Sequence, residues 1–418
     1  MTDRLVDSVA VDGLRDDLLD PAVNHDPYPF FRVLREEDPV HYSEPHRGWL
    51  MTRYDDVANA LGDPRLSSDR VRPLLAQLTP ERRSAAGPVM ELISEWMVVS
   101  DPPAHTRLRK LATKAFHPRR FVAMEDRIRE LVDLYLDEFI AGGSDDLVAG
   151  FAFPLPASVA SELIGAPTED AERFKVWSDD LALVAFGAGG EARDGRHARA
   201  ETSLEEMFEY FGELIELERA DPGGENMIAD LVAGVGGEHL SDDEMKGMCA
   251  LMLFAGHETT TTTITSAIKL LIENPDQLAM LRADPTRAGK TVEEVLRVEG
   301  AIKVLQRWVL EDMEIRGRPI RAGQRVLLVP AAANRDPEKF RDPDRFDICR
   351  TPNPHLAFGK GIHTCIGAML ARIEMRIAVA RIVERLPGLR FADTDQSFSW
   401  TPSFASRGLA ELRIAHDA

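Results

Sequence analysis

The feature that most restricts the fold of this sequence is one uninterrupted helical stretch in its second half. Ser241-Asp242-Asp243-Glu244 has the pattern of a capping box, and the next signal able to limit continuation is Asn274-Pro275. About 33 residues at a rise of 1.5 Å make a rod of roughly 50 Å, long enough to cross a whole domain. The other elements must then pack around it. The centre of the stretch, Ala255-Gly256-His257-Glu258-Thr259-Thr260-Thr261-Thr262-Thr263, is poor helix material, with a glycine and five successive β-branched residues. A Thr259 hydroxyl bonded back to the Ala255 carbonyl would open a small groove beside Gly256, wide enough for a diatomic ligand. Taken alone, the same residues fit a tolerated threonine run with Glu258 as a solvated side chain.

Elsewhere helix dominates and strand signals are few. Ile128, Leu131, Val132, Tyr135 and Phe139 form one stripe along Met124 to Gly143, with Gly142-Gly143 as a stop. Leu204, Met207, Phe208, Phe211, Leu214 and Ile215 form another, ending at Asp221-Pro222-Gly223-Gly224. Trp49 to Thr52 reads as a strand, and Met313 to Val329 as a small hairpin region with turns at Arg316-Gly317 and Ala322-Gly323. No repeat, low-complexity tract or linker divides the sequence, so residues 1–418 are expected to form a single domain. A net charge of -20 argues against nucleic acid or an anionic membrane as partner unless a basic patch is segregated. Apolar runs such as Met248 to Gly256 reach about half of the roughly 20 residues a membrane helix needs. Met1 to Asp20 has no signal-peptide core, which points to an uncleaved N-terminus and a cytoplasmic protein.

Three cysteines, Cys249, Cys349 and Cys365, are too scattered for a disulfide framework. The first two read as small buried hydrophobes. The third lies in Phe358-Gly359-Lys360-Gly361-Ile362-His363-Thr364-Cys365-Ile366-Gly367-Ala368, followed by Met369-Leu370-Ala371-Arg372. Structural zinc would need four ligands, and only His363 is near; a nucleophilic thiol would need a base and oxyanion donors to which the sequence does not point. The pattern F-G-x-G-x-H-x-C-x-G, then L-A-R, resembles the haem-ligand loop of the cytochrome P450 family. The resemblance runs from Asp26-Pro27-Tyr28 to the terminal strands, with Glu294-Val295-Leu296-Arg297 matching E-x-x-R and Pro343-Asp344-Arg345-Phe346 matching the segment that supplies a second arginine. By itself Glu294 would also fit a capping box opened by Thr291.

The resemblance implies a mainly α fold with a minor β region, the cytochrome P450 fold, its long central helix lying over the haem. Cys365 is then the iron ligand and haem b the cofactor. Gly359 and Gly361 allow a tight turn, a helix starting near Cys365 aims free N–H groups at the sulfur, and Gly367 leaves room for the porphyrin edge. Phe358 belongs to the same loop. His105, Arg109, Arg307 and His363 would meet the haem propionates, while Glu294, Arg297 and Arg345 would form a buried charge network. Ala255 and Gly256 would flank dioxygen, with Thr259 donating a hydrogen bond to it and Glu258 relaying protons. The implied activity is monooxygenation, hydroxylation or epoxidation of a hydrophobic or amphipathic small molecule, in secondary metabolite biosynthesis. That substrate is free or carried on a carrier protein. The alternatives are a peroxide-driven peroxygenase and a non-catalytic haem-containing subunit. With no reductase domain in the sequence, electrons would come from a ferredoxin and its NAD(P)H-dependent ferredoxin reductase. The ferredoxin would dock on Arg107, Arg109, Lys110, Lys114, Arg119, Arg120 and Lys360 of a monomeric enzyme. Substrate contacts are expected from Val71 to Val99, Leu181 to Glu191, the 250s, Ala301 to Gln306 and Thr401 to Phe404, with Gly187-Ala188-Gly189-Gly190 as a lid. One departure stands out: relatives commonly place a proline within a few residues after the arginine that matches Arg297, whereas Val298 to Leu305 contain none, and Lys303 reads either as a contact to a substrate anion or as a solvated residue.

Overall fold

The long helix forms from Asp242 to Glu273, 32 residues, in a computed structural model that describes residues 16–187, 195–393 and 397–417. Both halves of the capping box are made: the Glu244 N–H donates to the Ser241 hydroxyl at 3.2 Å, and the Ser241 N–H donates to the Glu244 carboxylate at 2.9 Å. Asn274 closes the far end, its N–H donating to the Leu270 carbonyl at 3.0 Å. Pro275 then opens a new helix, Pro275–Ala283, where its missing N–H costs nothing. Burial overrides the poor propensity of the centre, since residues on every face of this helix are covered by neighbours. Three of the five threonine hydroxyls find acceptors within the helix, Thr259 donating to Ala255 at 3.2 Å, Thr260 to Gly256 at 3.0 Å and Thr263 to Thr259 at 2.8 Å, whereas the buried Thr261 hydroxyl has no partner.

The two sequence stripes become helices Glu125–Gly142 and Arg196–Ala220. Leu136 joins the first in place of Tyr135, which is half-buried with its hydroxyl 2.6 Å from that of Ser158. Gly143 ends that helix in the left-handed region at φ 64°. A five-stranded sheet has the order β1-β2-β7-β4-β3, from β1 (Val40–Ser43), β2 (Gly48–Met51), β3 (Leu66–Ser67), β4 (Leu305–Val309) and β7 (Arg325–Leu328). The pair β2–β7 is parallel and the others antiparallel. Of the expected hairpin region, only β5 (Met313–Ile315) and β6 (Arg318–Ile320) form a hairpin, through Arg316 and Gly317 at φ 50° and 76°. Strand β7 leaves it for the larger sheet. No described helix is long and apolar enough to cross a membrane. The proposed lid, residues 187–190, lies outside the described residues except for Gly187, as do residues 1–15.

Behind the cysteine loop the charge network differs from expectation in one member. Glu294 and Arg297 sit on helix Ala288–Glu299, and Thr291 lies inside that helix, so no capping box forms there. Arg297 meets the Glu294 carboxylate twice, at 2.9 and 2.8 Å. The second arginine is Arg350, whose Nε lies 3.0 and 3.1 Å from the two Glu294 oxygens. Arg345 contributes only its carbonyl, which accepts from Arg297 and Arg350 at 3.0 and 3.1 Å. The chain turns Phe346 inward to the core, which leaves the preceding Arg345 side chain exposed.

The segment lacking a proline is fixed by the C-terminal loop instead. The N–H groups of Lys303 and Val304 both donate to the Ala405 carbonyl, at 2.7 and 3.2 Å, and the Arg407 N–H donates to the Ala301 carbonyl at 2.8 Å. Lys303 fits neither of its two sequence readings. It is 1% exposed, and its Nζ donates to the Ser403 carbonyl at 2.7 Å and to Asn24 Oδ1 at 3.2 Å.

Candidate functional site

Cys365 owes its position to a short chain path with little freedom. Gly359 and Gly361 adopt φ of 69° and 77°, a region open to glycine at no cost. The Cys365 N–H donates back to the Phe358 carbonyl at 2.9 Å and closes the loop. Helix Ala368–Arg385 starts three residues later. Burial pushes the Cys365 thiol up on balance, opposed by the Gly367 and Ala368 N–H groups and by the Arg109 and Arg372 charges, which favour the thiolate. A Cβ built on Gly367 would meet nothing within 4 Å. That open space suits the edge of a flat ligand.

The loop faces a cavity of about 410 Å³. Its lining includes Cys365, Phe358, Gly359 and Gly367 on one side and Ala255, Gly256 and Thr259 of the long helix on another. Ala255 and Gly256 are exposed to this space although neighbouring residues of the helix are buried. His105, Arg109, Arg307 and His363 also line it. The two imidazoles lie 4.1 Å apart between ring centroids, and each has a buried Nε2 without a partner. Burial and the neighbouring Arg109 push the His105 imidazole below its ordinary value. His363 is pushed down to about 3 by burial, then by His105, Arg307, Arg109 and Arg70. Arg109 donates to the Thr364 carbonyl at 2.7 Å and Arg307 to the Gln306 carbonyl at 2.8 Å; neither has a carboxylate partner among the described residues. Two orphaned imidazoles and two guanidiniums without counter-ions, all at the edge of a cavity with a thiol in its wall, fit a planar ligand bearing two carboxylates.

Two expected residues lie outside the lining. Gly361 is packed under Leu61, whose carbonyl a Cβ would approach to 3.2 Å. Glu258 is half-buried and senses Asp179 and Lys175. Burial, reinforced by Asp179, pushes its carboxyl up to about 7.

The expected contact regions supply Val71, Met97, Val184, Phe186, Phe254, Ile302 and Leu305 to the cavity wall, but Thr401 to Phe404 supply none and Ala405 takes their place. Three further contributions carry no signal along the chain. Pro156, Ala160, Leu163 and Ile164 of helix Pro154–Ile164 add an apolar wall. Glu374 reaches the cavity with a buried, unpartnered Oε2, and burial raises its carboxyl well above the usual range. The third is Arg70.

The basic patch is largely neutralised from within. Arg107 pairs with Glu244, Lys110 with Glu238 at 3.0 Å, and Lys114 and Arg120 with Asp230 at 3.5 and 2.6 Å. Arg119 and Lys360 have no ion pair among the described residues. Cys249 is buried, whereas Cys349 is half-buried and accepts from Arg287 at 2.9 Å.

A sequence model of the cytochrome P450 family matches residues 194–387. The chain is 40% identical over 400 residues to cytochrome P450 monooxygenase PikC of Streptomyces venezuelae, which spans 93% of this chain and 91% of that protein. Among solved structures it is similar to P450BioI in complex with hexadec-9Z-enoic acid ligated acyl carrier protein, with a TM-score of 0.87 and 34% identity over 95% of this chain and 99% of that one. It is also similar to the myxobacterial cytochrome P450 CYP267B1 in complex with myristic acid, with a TM-score of 0.85 and 37% identity over 96% and 99% of the two chains.

Proposed function

This chain belongs to the cytochrome P450 family of haem monooxygenases, and on that premise we propose that it holds haem b through Cys365 and oxygenates a hydrophobic or amphipathic small molecule. The reaction is hydroxylation or epoxidation in secondary metabolism, carried out by one domain with electrons from a separate ferredoxin and ferredoxin reductase. The observation that carries this reading is the shared cavity, with the Cys365 thiol in one wall and Ala255, Gly256 and Thr259 in another. Haem held by a thiolate supplies dioxygen binding and reductive cleavage of the O–O bond.

The protein supplies the rest. The Gly367 and Ala368 N–H groups and Arg109 favour the thiolate at Cys365 Sγ. Arg109, Arg307, His105 and His363 would hold the two haem carboxylates, two through guanidinium charge and two through their unpartnered Nε2 atoms. Thr259 Oγ1 rests on the Ala255 carbonyl at 3.2 Å, and would turn from it to donate a hydrogen bond to dioxygen. Glu258, with its carboxyl pushed up to about 7, is protonated in about half the molecules at neutral pH and would relay protons toward Thr259. Leu251, Phe254 and Phe186 keep the space above apolar and exclude water.

The test is the absorption spectrum of the reduced, carbon monoxide-treated protein. A band at about 450 nm is expected, and Cys365→Ser is expected to abolish it. Absence of the band in the native protein, or its survival in the serine variant, overturns the assignment.

A further inference from the structure

We propose that Arg70 anchors a carboxylate on the substrate, so that the enzyme selects apolar acids presented as free carboxylates; this rests on the monooxygenase reading above. Arg70 follows β3, just before helix Arg72–Gln77, and lines the cavity. It has no hydrogen bond or ion pair among the described residues. The carboxylates near it are engaged elsewhere. Asp69 accepts from the Val71 and Arg72 N–H groups at 3.2 and 3.0 Å and pairs with Arg72 Nη1 at 3.0 Å. Asp101 accepts from the Ser68 N–H at 2.9 Å and from the Ser67 hydroxyl.

The surplus of positive charge points to an anion that is not the cofactor. Haem brings two carboxylates, and Arg109 and Arg307 are two guanidiniums free to meet them, with the unpartnered Nε2 atoms of His105 and His363 beside them. Arg70 is a third. Burial and the neighbouring Arg307 pull it down only to about 10, so it stays charged at neutral pH. A half-buried cation in a cavity wall with no carboxylate bonded to it is only partly solvated, and an anion that enters with the ligand would supply the missing partner. The same cavity wall carries the apolar side chains of Val71, Leu74, Ile93 and Met97. A ligand matching this pocket has a carboxylate at one end and an apolar body. A carrier-borne thioester has no carboxylate to offer and would be indifferent to Arg70.

Dodecanoic acid and methyl dodecanoate test this with one apolar chain flexible enough to follow the cavity. Each is titrated into the haem-loaded protein, and the loss of iron-bound water is read by difference spectroscopy. The acid is expected to bind at least about tenfold more tightly than the ester, the scale of one charge-assisted hydrogen bond. In Arg70→Leu the acid should fall to the affinity of the ester while the ester is unmoved, and Arg70→Lys should keep part of the preference. Equal affinities in the native protein, or no response to either compound, overturn the proposal. So does loss of haem from Arg70→Leu, which would place Arg70 on the cofactor instead. The carbon monoxide band, recorded on the same samples, separates the two readings: its absence removes the monooxygenase assignment, whereas its presence with equal affinities removes only the role of Arg70.

Discussion

Lys303 offers a measurable link between one buried amine and the stability of the cavity wall. It sits between Ile302 and Val304, both in that wall, with Nζ bonded only to neutral acceptors on Ser403 and Asn24. Burial, with Arg407 nearby, pulls its ammonium from an ordinary 10.5 down to about 7. Between those two values the unfolded chain holds a proton that the folded chain has lost, so stability rises with pH across that window and the gain disappears below about 7. At roughly 1.4 kcal/mol per pH unit where the two states differ by a full proton, and half that at pH 7, the rise from pH 7 to pH 9 is about 2 kcal/mol. Lys303→Met removes the titrating group. It also leaves the Ser403 carbonyl and Asn24 Oδ1 without a donor, a loss of about 1–3 kcal/mol that does not vary with pH. Urea unfolding of both proteins at pH 7, 8 and 9, followed by far-ultraviolet circular dichroism, should therefore show a difference that widens in favour of the native protein by about 2 kcal/mol. Parallel pH profiles would refute the buried-amine argument, because every other titrating group is common to the two proteins.

Removing one partner from the Glu294 network should show which arginine belongs to it. Arg350→Ala strips a guanidinium from a carboxylate that is 0% exposed and should cost about 3 kcal/mol in urea unfolding, whereas Arg345→Ala, which leaves the bonding carbonyl in place, should stay within about 0.5 kcal/mol. Equal losses would mean that the Arg345 side chain matters after all. Thr259→Ala should uncouple turnover: electron donor is still consumed, hydrogen peroxide is released and product falls about tenfold or more, measured as the ratio of product to donor oxidised. Unchanged coupling would remove Thr259 from dioxygen handling.

The parts of the fold legible in the sequence are those decided locally. The limits of the long helix follow from Ser241, Glu244 and Asn274 acting on their own neighbours, and the cysteine loop follows from two glycines that adopt positive φ. Strands β3 and β4 are not legible because their register depends on distant partners: Leu305 pairs with Leu328, and Leu66 with Val309. Charged residues misled most. Arg345 lies in the recognisable motif, yet the motif fixes where the chain turns and not which guanidinium reaches Glu294; Arg350, five residues on, has the length and direction to do so. Lys303 gave no hint of burial because the groups that bury it come from Asn24 and Ser403, at the two ends of the chain. Arg70, between Asp69 and Arg72, looks like one more solvated charge. It becomes a candidate for ligand selection only once Asp69 is seen paired with Arg72 and the Arg70 side chain is left facing the cavity. A long, flexible side chain chooses its partner in three dimensions, so spacing along the chain identifies a turn or a cap far better than it identifies the anion an arginine will meet.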